Sequence, residues 1–558
     1  MYVDICKYKR GNKTYKRVLL REGYREGGKV KHRTLANLSH CSDEEIEAIR
    51  IALKMKKNLV ELKNLAKGSY WCGKHVGPVA VLYQIANHLG ITQALGYSKN
   101  ALLALWLIMA RLIDQGSRLS AVRLAQNHAV AEILNLNAFN EDDLYKTLDW
   151  LYEHKEKIEN RLFKERGHGS SFYLYDVTSS YLEGKENELA DWGYNRDKKK
   201  GKKQIVYGLL TDEEGEPISI EAFCGNTKDN KTVRVEIETL KERFGCRHIT
   251  LVGDKGMIKS GEIEDLKTAG FHYITSITKS QIKTLLIKGV FQLSLFDEDL
   301  CEVEDREEGV RYILRRNPFR AEEMHKTRLS KIEAIGGKIE KANRYLYEHK
   351  RAKIATQIRH IKEYIVKLKL DGLLDVEADE GKKQLKLNVD KEALCRAEEL
   401  DGCYALKTDL PKEVASKETI HDRYKGLSEV EWAFRTQKTG YLQVRPIYVR
   451  KRERSIAHLL IVMLAYKMER YLRSAWEDLD ITVKEGISRL AKITSNVIAI
   501  GEKRLVTVPR PDKACKELLK RVNVTLPEVL PYRETHVATR KKLNSLRKRK
   551  KCSTDTTK

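Results

Sequence analysis

At 558 residues the chain is longer than one hydrophobic core ordinarily serves, so its length implies about three domains. Its 105 Lys and Arg against 79 Asp and Glu leave a formal charge of +26. This selects an acidic partner and, since no apolar run reaches spanning length, favours nucleic acid over a membrane. The ten cysteines stand singly with no CxxC pair, which removes support from zinc-finger and thioredoxin-like readings and fits a reducing, cytoplasmic compartment. The first residues are charged with no apolar stretch behind them, so no secretion signal is expected.

Residues 1–40 alternate apolar and polar over 3–8, 15–21 and 29–38, with turns at Gly11-Asn12 and Gly27-Gly28. They predict a small basic sheet, either a phosphate-binding surface or a soluble cap of like charge. From Ser42, with Glu45 at capping-box spacing, helical periodicity runs to about Asn64. Helices are also predicted over 77–89, 100–114, 120–133 and 140–163. The turn at Gln115, Gly116 and Ser117 allows a helix-turn-helix module with Arg118, Arg123, Gln126 and Asn127 on DNA; a helical bundle with solvated polar faces has the same pattern.

The stretch SSFYLYDVTSSYLE at 170–183 opens a strand-rich region. Its β-forming run 172–177 carries one acid, Asp176, near the expected strand end. Such a carboxylate must be hydrogen-bonded, paired or metal-bound, because burying it bare costs several kcal/mol. A hairpin over 204–210 and 218–223 follows, then a helix over 230–244 and a strand over 248–252 that runs into Asp254. A helix at 260–269 and a strand at 271–278 complete a mixed α/β unit. Residues from about 280 to 402 look inserted, with short strands near Val303 and at 311–314, charged helices over 321–337 and 341–370, and a strand at 383–387. The α/β pattern resumes at 403–407, continues into a helix at 427–438 and ends in an apolar core helix at 455–472. Past Arg473 the signal weakens, and the tail 541–551 holds seven basic side chains and no acid, the pattern of a disordered segment that adds affinity for a polyanion.

Three acids stand out by position: Asp176 and Asp254 at strand ends and Glu431 in a helix. Converging carboxylates suit Mg2+ or Mn2+, and two such ions serve in-line displacement at phosphate without a nucleophilic side chain. Among 79 acids, three such positions arise easily by chance, so spacing alone decides little. Glu431, Arg435 and Lys438 share a helix face, which fits a metal and phosphate site or a plain salt-bridge ladder. Arg196, Lys198, Lys199, Lys200, Lys202 and Lys203 make a cationic loop behind Trp192 and Tyr194. They fit strand phosphates and a stacked base, or equally a solvated hairpin. Asn226 and Asp229 in the next loop are candidates for supporting bonds.

In order along the chain stand YREGGKVKHRTLANL at 24–38, YDVTSSYLEG at 175–184, DWGYNRDKKKGKKQIVYGLLTDEEGEPI at 191–218 and FCGNTKDNKT at 223–232. LVGDKGM at 251–257, DGCYALKTDL at 401–410 and the run 424–449, with EWAFRTQK and VRPIYV, follow. Together they resemble the DDE transposases of the IS4-like superfamily, most closely the IS1634-type branch, over roughly 1–475. The resemblance implies an α/β, ribonuclease-H-like catalytic core with an inserted mixed helix and strand domain, preceded by a mostly helical DNA-binding region. The division is then a basic N-terminal sheet at 1–40, a helical DNA-binding region at 41–168, core segments at 169–280 and 403–475 flanking an insertion at 281–402, and a C-terminal region with a basic tail at 476–558.

By the same resemblance Asp176, Asp254 and Glu431 are the catalytic, metal-binding acids for two Mg2+ or Mn2+ ions. Tyr424, Arg435, Lys438, Trp192, Arg196, Lys198, Asn226 and Asp229 are DNA contacts or supports. The family's helix motif has an arginine where Leu427 stands, with Arg423 or Arg435 as substitutes. The implied activity is cut-and-paste movement of an insertion sequence on terminal inverted repeats and target DNA, by a homodimer assembled on DNA, cytoplasmic and nucleoid-associated. The residues do not choose between a hairpin intermediate and direct double-strand cleavage. A nuclease without strand transfer and an inactive transposase-derived DNA-binding protein are the competing readings.

Overall fold

The computed structural model describes residues 1–10, 13–54, 56, 69–166, 171–184, 186–197, 199–379, 381–444, 447–500 and 503–533. The turn at Gly11-Asn12, the helical run's end at 57–64, Ser170, Lys198, Arg445 and Pro446 of VRPIYV, and the basic tail lie outside the described residues. The chain forms two compact units, one from 1–81, 123–138 and 485–540, the other chiefly from 82–122 and 139–484.

In the first unit β1 (Tyr2–Arg10), β2 (Lys13–Glu26) and β3 (Lys29–Asn37) make an antiparallel sheet in chain order. α1 (Asp43–Lys54) follows, capped as Ser42 and Glu45 predict: each backbone N–H donates to the other's side chain, at 2.7 and 3.2 Å. A second sheet was not legible in the sequence. It runs Val529–Leu530, Lys503–Thr507, Thr494–Ile500, Ser69–His75, and so joins strands from opposite ends of the chain. Glycine at 73 permits the approach, because a Cβ there would stand 2.3 Å from Ser495 Oγ.

The second unit is built on an eight-stranded mixed sheet. In chain order its elements are β4 (Phe172–Tyr181), β5 (Gln204–Asp212), β6 (Pro217–Phe223), α2 (Asp229–Glu238), β7 (Thr250–Gly253), α3 (Ser260–Ala269), β8 (His272–Ser276), β9 (Cys301–Asp305), β10 (Val310–Arg316) and β11 (Cys403–Thr408). Its order is β9-β10-β11-β8-β7-β4-β5-β6. β4 pairs antiparallel with β5, and β5 with β6, whereas β4, β7 and β8 run parallel. The hairpin β9-β10 extends the same sheet through β11. This mixed α/β architecture is consistent with a ribonuclease-H-like fold.

Alternation fixes which side of β4 does what. Tyr173, Tyr175 and Val177 enter the core beneath α2 and α3, with Val233, Ile237 and Leu266. Leu174 and Asp176 therefore point to the other face. There α4 (Lys417–Lys425) and α5 (Leu427–Arg435) cover the sheet: Tyr207 meets Phe434 edge to face at 5.5 Å, and α5 packs on β4. α6 (Arg452–Ala475) is buried along nearly its whole length and packs on β6, as its apolar run predicts.

Several expectations need correction. β4 continues four residues past Val177, because the segment 178–181 pairs with Gln204 to Tyr207; Asp176 sits mid-strand rather than near its end. The inserted helices do not break at 337–341: one helix spans Pro318–Glu348 and the next Ile354–Lys367. Gly336 and Gly337 cost helix propensity, but the buried series Ile335, Ile339, Ala342 and Leu346 carries the helix through them. The helix expected at 120–133 is two, Arg118–Asn127 and Val130–Leu134. Arg118 is buried, its Nη2 2.8 Å from His458 Nδ1, so it contacts no groove.

Gly208 on β5 tests the packing beneath β4. A Cβ there would stand 2.2 Å from the hydroxyl and 2.7 Å from ring carbons of Tyr175, which is fully buried and has little room to shift. Gly208→Ala is expected to destabilise the fold by about 1–3 kcal/mol, read as a lower midpoint in denaturant unfolding.

Candidate active site

The parallel register brings the two aspartates together. Phe172 lies opposite Thr250 and Leu174 opposite Val252, so carrying the register two residues further sets Asp176 level with Asp254, just past the end of β7. Neighbouring strands are about 4.8 Å apart. Glu431 comes from α5, on the face of β4 to which Asp176 points.

The electrostatics register this arrangement. Burial pushes the Asp176 carboxyl up to about 7; the charges of Asp254 and Glu431 add to the rise, against the Val177 backbone N–H and the Arg196 guanidinium. That N–H donates to Asp176 Oδ1 at 2.7 Å. Asp254 is exposed; its Oδ1 accepts from the Lys255 backbone N–H at 2.7 Å and, at 3.4 Å each, from Ser276 Oγ and Tyr424 Oη. Tyr424 also donates to Ser276 at 2.8 Å, and burial pushes its phenol up to about 12, so it remains a donor at neutral pH.

Around the acids, cations are held by partners. Arg196 pairs with Asp229 at 2.6 Å, and its backbone N–H donates to Ser179 Oγ at 3.3 Å. Lys438 is buried and meets Asp197 at 3.3 Å, while Asp197 also accepts from the Tyr181 N–H at 3.2 Å. Lys438 therefore ties the loop after β4 to the turn Thr436–Gly440 instead of reaching into solvent. Arg435 lies over the Trp432 ring at 5.6 Å, and Arg473 over the same ring at 5.3 Å. Arg423 pairs with Glu213 at 2.6 Å and lies over the Phe172 ring at 5.1 Å.

Trp192 and Tyr194 are exposed, Tyr194 at 84%. Asn226 donates to Asp191 at 2.7 Å, and Gly225 lets that turn lie against the backbone of Asp191 and Gln204. These loops enclose a recess of about 390 Å3 lined by Tyr194, Arg196, Gln204, Asn226, Asp229 and Lys259. Lys198 lies outside the described residues. Sequence reasoning passed over Ser276, Asp197 and Asp191. Only Asp197 and Asp191 sit in quoted motifs, and nothing local marks their partners, which come from other strands and turns.

Three facing carboxylates with a raised Asp176 are a donor set chemically suited to a divalent ion, whose charge would relieve their mutual repulsion. Among the described residues, no three His, Cys, Asp or Glu side chains stand close enough to share one ion. The acids are thus within electrostatic reach without being in coordinating positions.

A profile of the IS1634 family transposase N-terminal domain matches residues 4–61, and one of the transposase DDE domain matches residues 167–468, more than half of the chain. No curated protein matches. Among solved structures, the chain is similar to a piggyBac transposase in a synaptic complex with hairpin DNA, determined by cryo-electron microscopy. The identity is 6% over 70% of each chain and the TM-score 0.35, too distant to establish a shared fold.

The raised Asp176 sets a pH dependence. Between the ordinary 3.8 and about 7 the native state holds a proton that the unfolded chain releases, so stability falls as pH rises through that window. Asp176→Asn, which cannot ionise, is expected to be more stable than wild type at pH 8 in chelator-treated buffer. The advantage should vanish near pH 4, as measured by thermal unfolding across pH.

Proposed function

The chain belongs to the IS1634 family of DDE transposases, and we propose that it cuts transposon ends and joins their 3′-hydroxyls to target DNA through Asp176, Asp254 and Glu431. The observation that carries the reading is the placement of Asp176 and Asp254 at one level of adjacent parallel strands, with Glu431 on the helix covering that face. The sheet order and directions from β4 to β8 support a ribonuclease-H-like core, which the insertion lengthens through β9 and β10.

The family implies a divalent metal, and Mg2+ or Mn2+, as two ions, would be held by these three acids; when bound it polarises the scissile phosphate and activates the attacking oxygen. Asp254 and Glu431 are both exposed, so their side chains would be free to turn toward such an ion. Tyr424, held by Ser276, orients Asp254 as a positioning residue. Lys438 positions the loop carrying Arg196, which faces the acids with positive charge. The recess beside Arg196 accepts the DNA strand, with Tyr194 and Trp192 as stacking surfaces and Asn226 and Asp229 bracing its wall. Arg435 at the outer face of α5 contacts a phosphate. Two copies bring two terminal repeats together on DNA, in the cytoplasm at the nucleoid.

With paired terminal-repeat duplexes, target DNA and Mg2+, the wild type is expected to yield covalent donor-target products. Asp176→Asn, Asp254→Asn or Glu431→Gln should each lower cleavage by more than the about 10–100-fold typical of changes to supporting groups, and Tyr424→Phe by an amount within that range. Retained cleavage in an acid variant contradicts the assignment. Cleavage without joined products marks a nuclease, and DNA binding without cleavage an inactive relative.

A further inference from the structure

Arg118, buried against His458, is removed from the four expected helix-turn-helix contacts, and the molecule carries a second basic surface, the N-terminal sheet. Its register sorts side chains onto two faces. Lys16 reaches Asp43 at the start of α1, and α1 packs on β1, so the face bearing Lys16 and Val18 is the one the helix covers. The opposite face presents Tyr2, Tyr8 and Tyr15 with Arg17, Arg21 and Arg25. Contacts confirm the shared side: Tyr8 stacks on Tyr15 at 5.7 Å, and Arg21 pairs with Asp4 at 2.8 Å. Asp4 is the only acid among the described residues of that face, and no residue of β3 is buried.

The three arginines recur every four residues along the central strand. At about 3.3 Å a residue they are spaced by roughly 13 Å, close to the about 12 Å width of the DNA major groove. Leu19 is buried on this face, but the side chains on either side of it are exposed or half-exposed; arginines at that interval match a groove edged by phosphates, and tyrosines add flat polar-tipped contacts. Opposite charge selects the occupant. A second copy of the same face would set arginine against arginine.

We infer that the arginine-bearing face of the β1-β2-β3 sheet docks double-stranded DNA, with Arg17, Arg21 and Arg25 contacting the duplex and the flanking tyrosines bracing it. This rests on the reading of the chain as acting on DNA ends, and it places end recognition in a compact unit different from the one holding the acids.

The test measures binding of the full-length protein, without divalent metal, to a labelled terminal-repeat duplex by fluorescence anisotropy over a salt series. Arg17→Ala with Arg25→Ala is expected to weaken binding by at least about tenfold and to reduce the salt slope by about 2, with thermal unfolding unchanged. Lys29→Ala with Lys31→Ala on one edge strand removes equal charge, with Lys31 and Lys29 on the other face, and is expected to have a clearly smaller effect. Wild-type affinity and slope in the arginine variant, or an equal loss in the lysine variant, overturns the inference. So does an altered oligomeric state in sedimentation with DNA affinity intact, which would make the face a contact between copies. Since no cleavage is read, an inactive wild type that binds through this face would defeat the catalytic reading alone, and an active enzyme indifferent to Arg17 and Arg25 would defeat this one alone.

Discussion

Like charges held within reach of one another are the constraint on which the second unit depends. Asp176 leaves water on a mid-sheet strand and faces two further carboxylates, and its raised protonation is the signature of that cost. The surrounding structure offsets it locally. Backbone N–H groups of Val177 and Lys255 donate to the two aspartates, Arg196 brings opposing charge, and Tyr424 and Ser276 bond to Asp254. The remaining imbalance is what a dication would remove.

The fold explains why that concentration of charge is stable in place. β7 stops at Gly253, which leaves Asp254 just past its end, and α5, which carries Glu431, packs on β4. Beneath β4, Tyr175 and the buried Glu236 lie on the α2 side. Burial, followed by the charge of Glu221, pushes the Glu236 carboxyl well above its usual range. The two faces of one strand therefore meet opposite demands: a packed, largely apolar floor and a charged roof.

Much of this was legible in the residues. The hairpin around Asp212 to Gly215 and the helix Ser260–Ala269 follow from turn chemistry and periodicity, and the sequence context marked Asp176, Asp254 and Glu431 as acids out of place. What could not be read was anything set by pairing across the chain. The level of Asp254 with Asp176 depends on a parallel register; Asp197 matters because Lys438 folds back onto it; and the strand Ser69–His75 has no meaning without Thr494–Ile500. Arg118 looked like a groove contact because a buried arginine is rare, and only the packing of His458 shows where it goes. Gly336 and Gly337 misled for the converse reason, since tertiary burial overrides local propensity.

The most direct test is a titration of the full-length chain with Mn2+, followed by electron paramagnetic resonance of the free ion. Three carboxylates forming one centre predict saturable binding that is lost or strongly weakened when any one of Asp176, Asp254 and Glu431 is neutralised, while the chain still unfolds cooperatively. Binding that survives unchanged with one of the three neutralised would show that the acids do not act as a single centre.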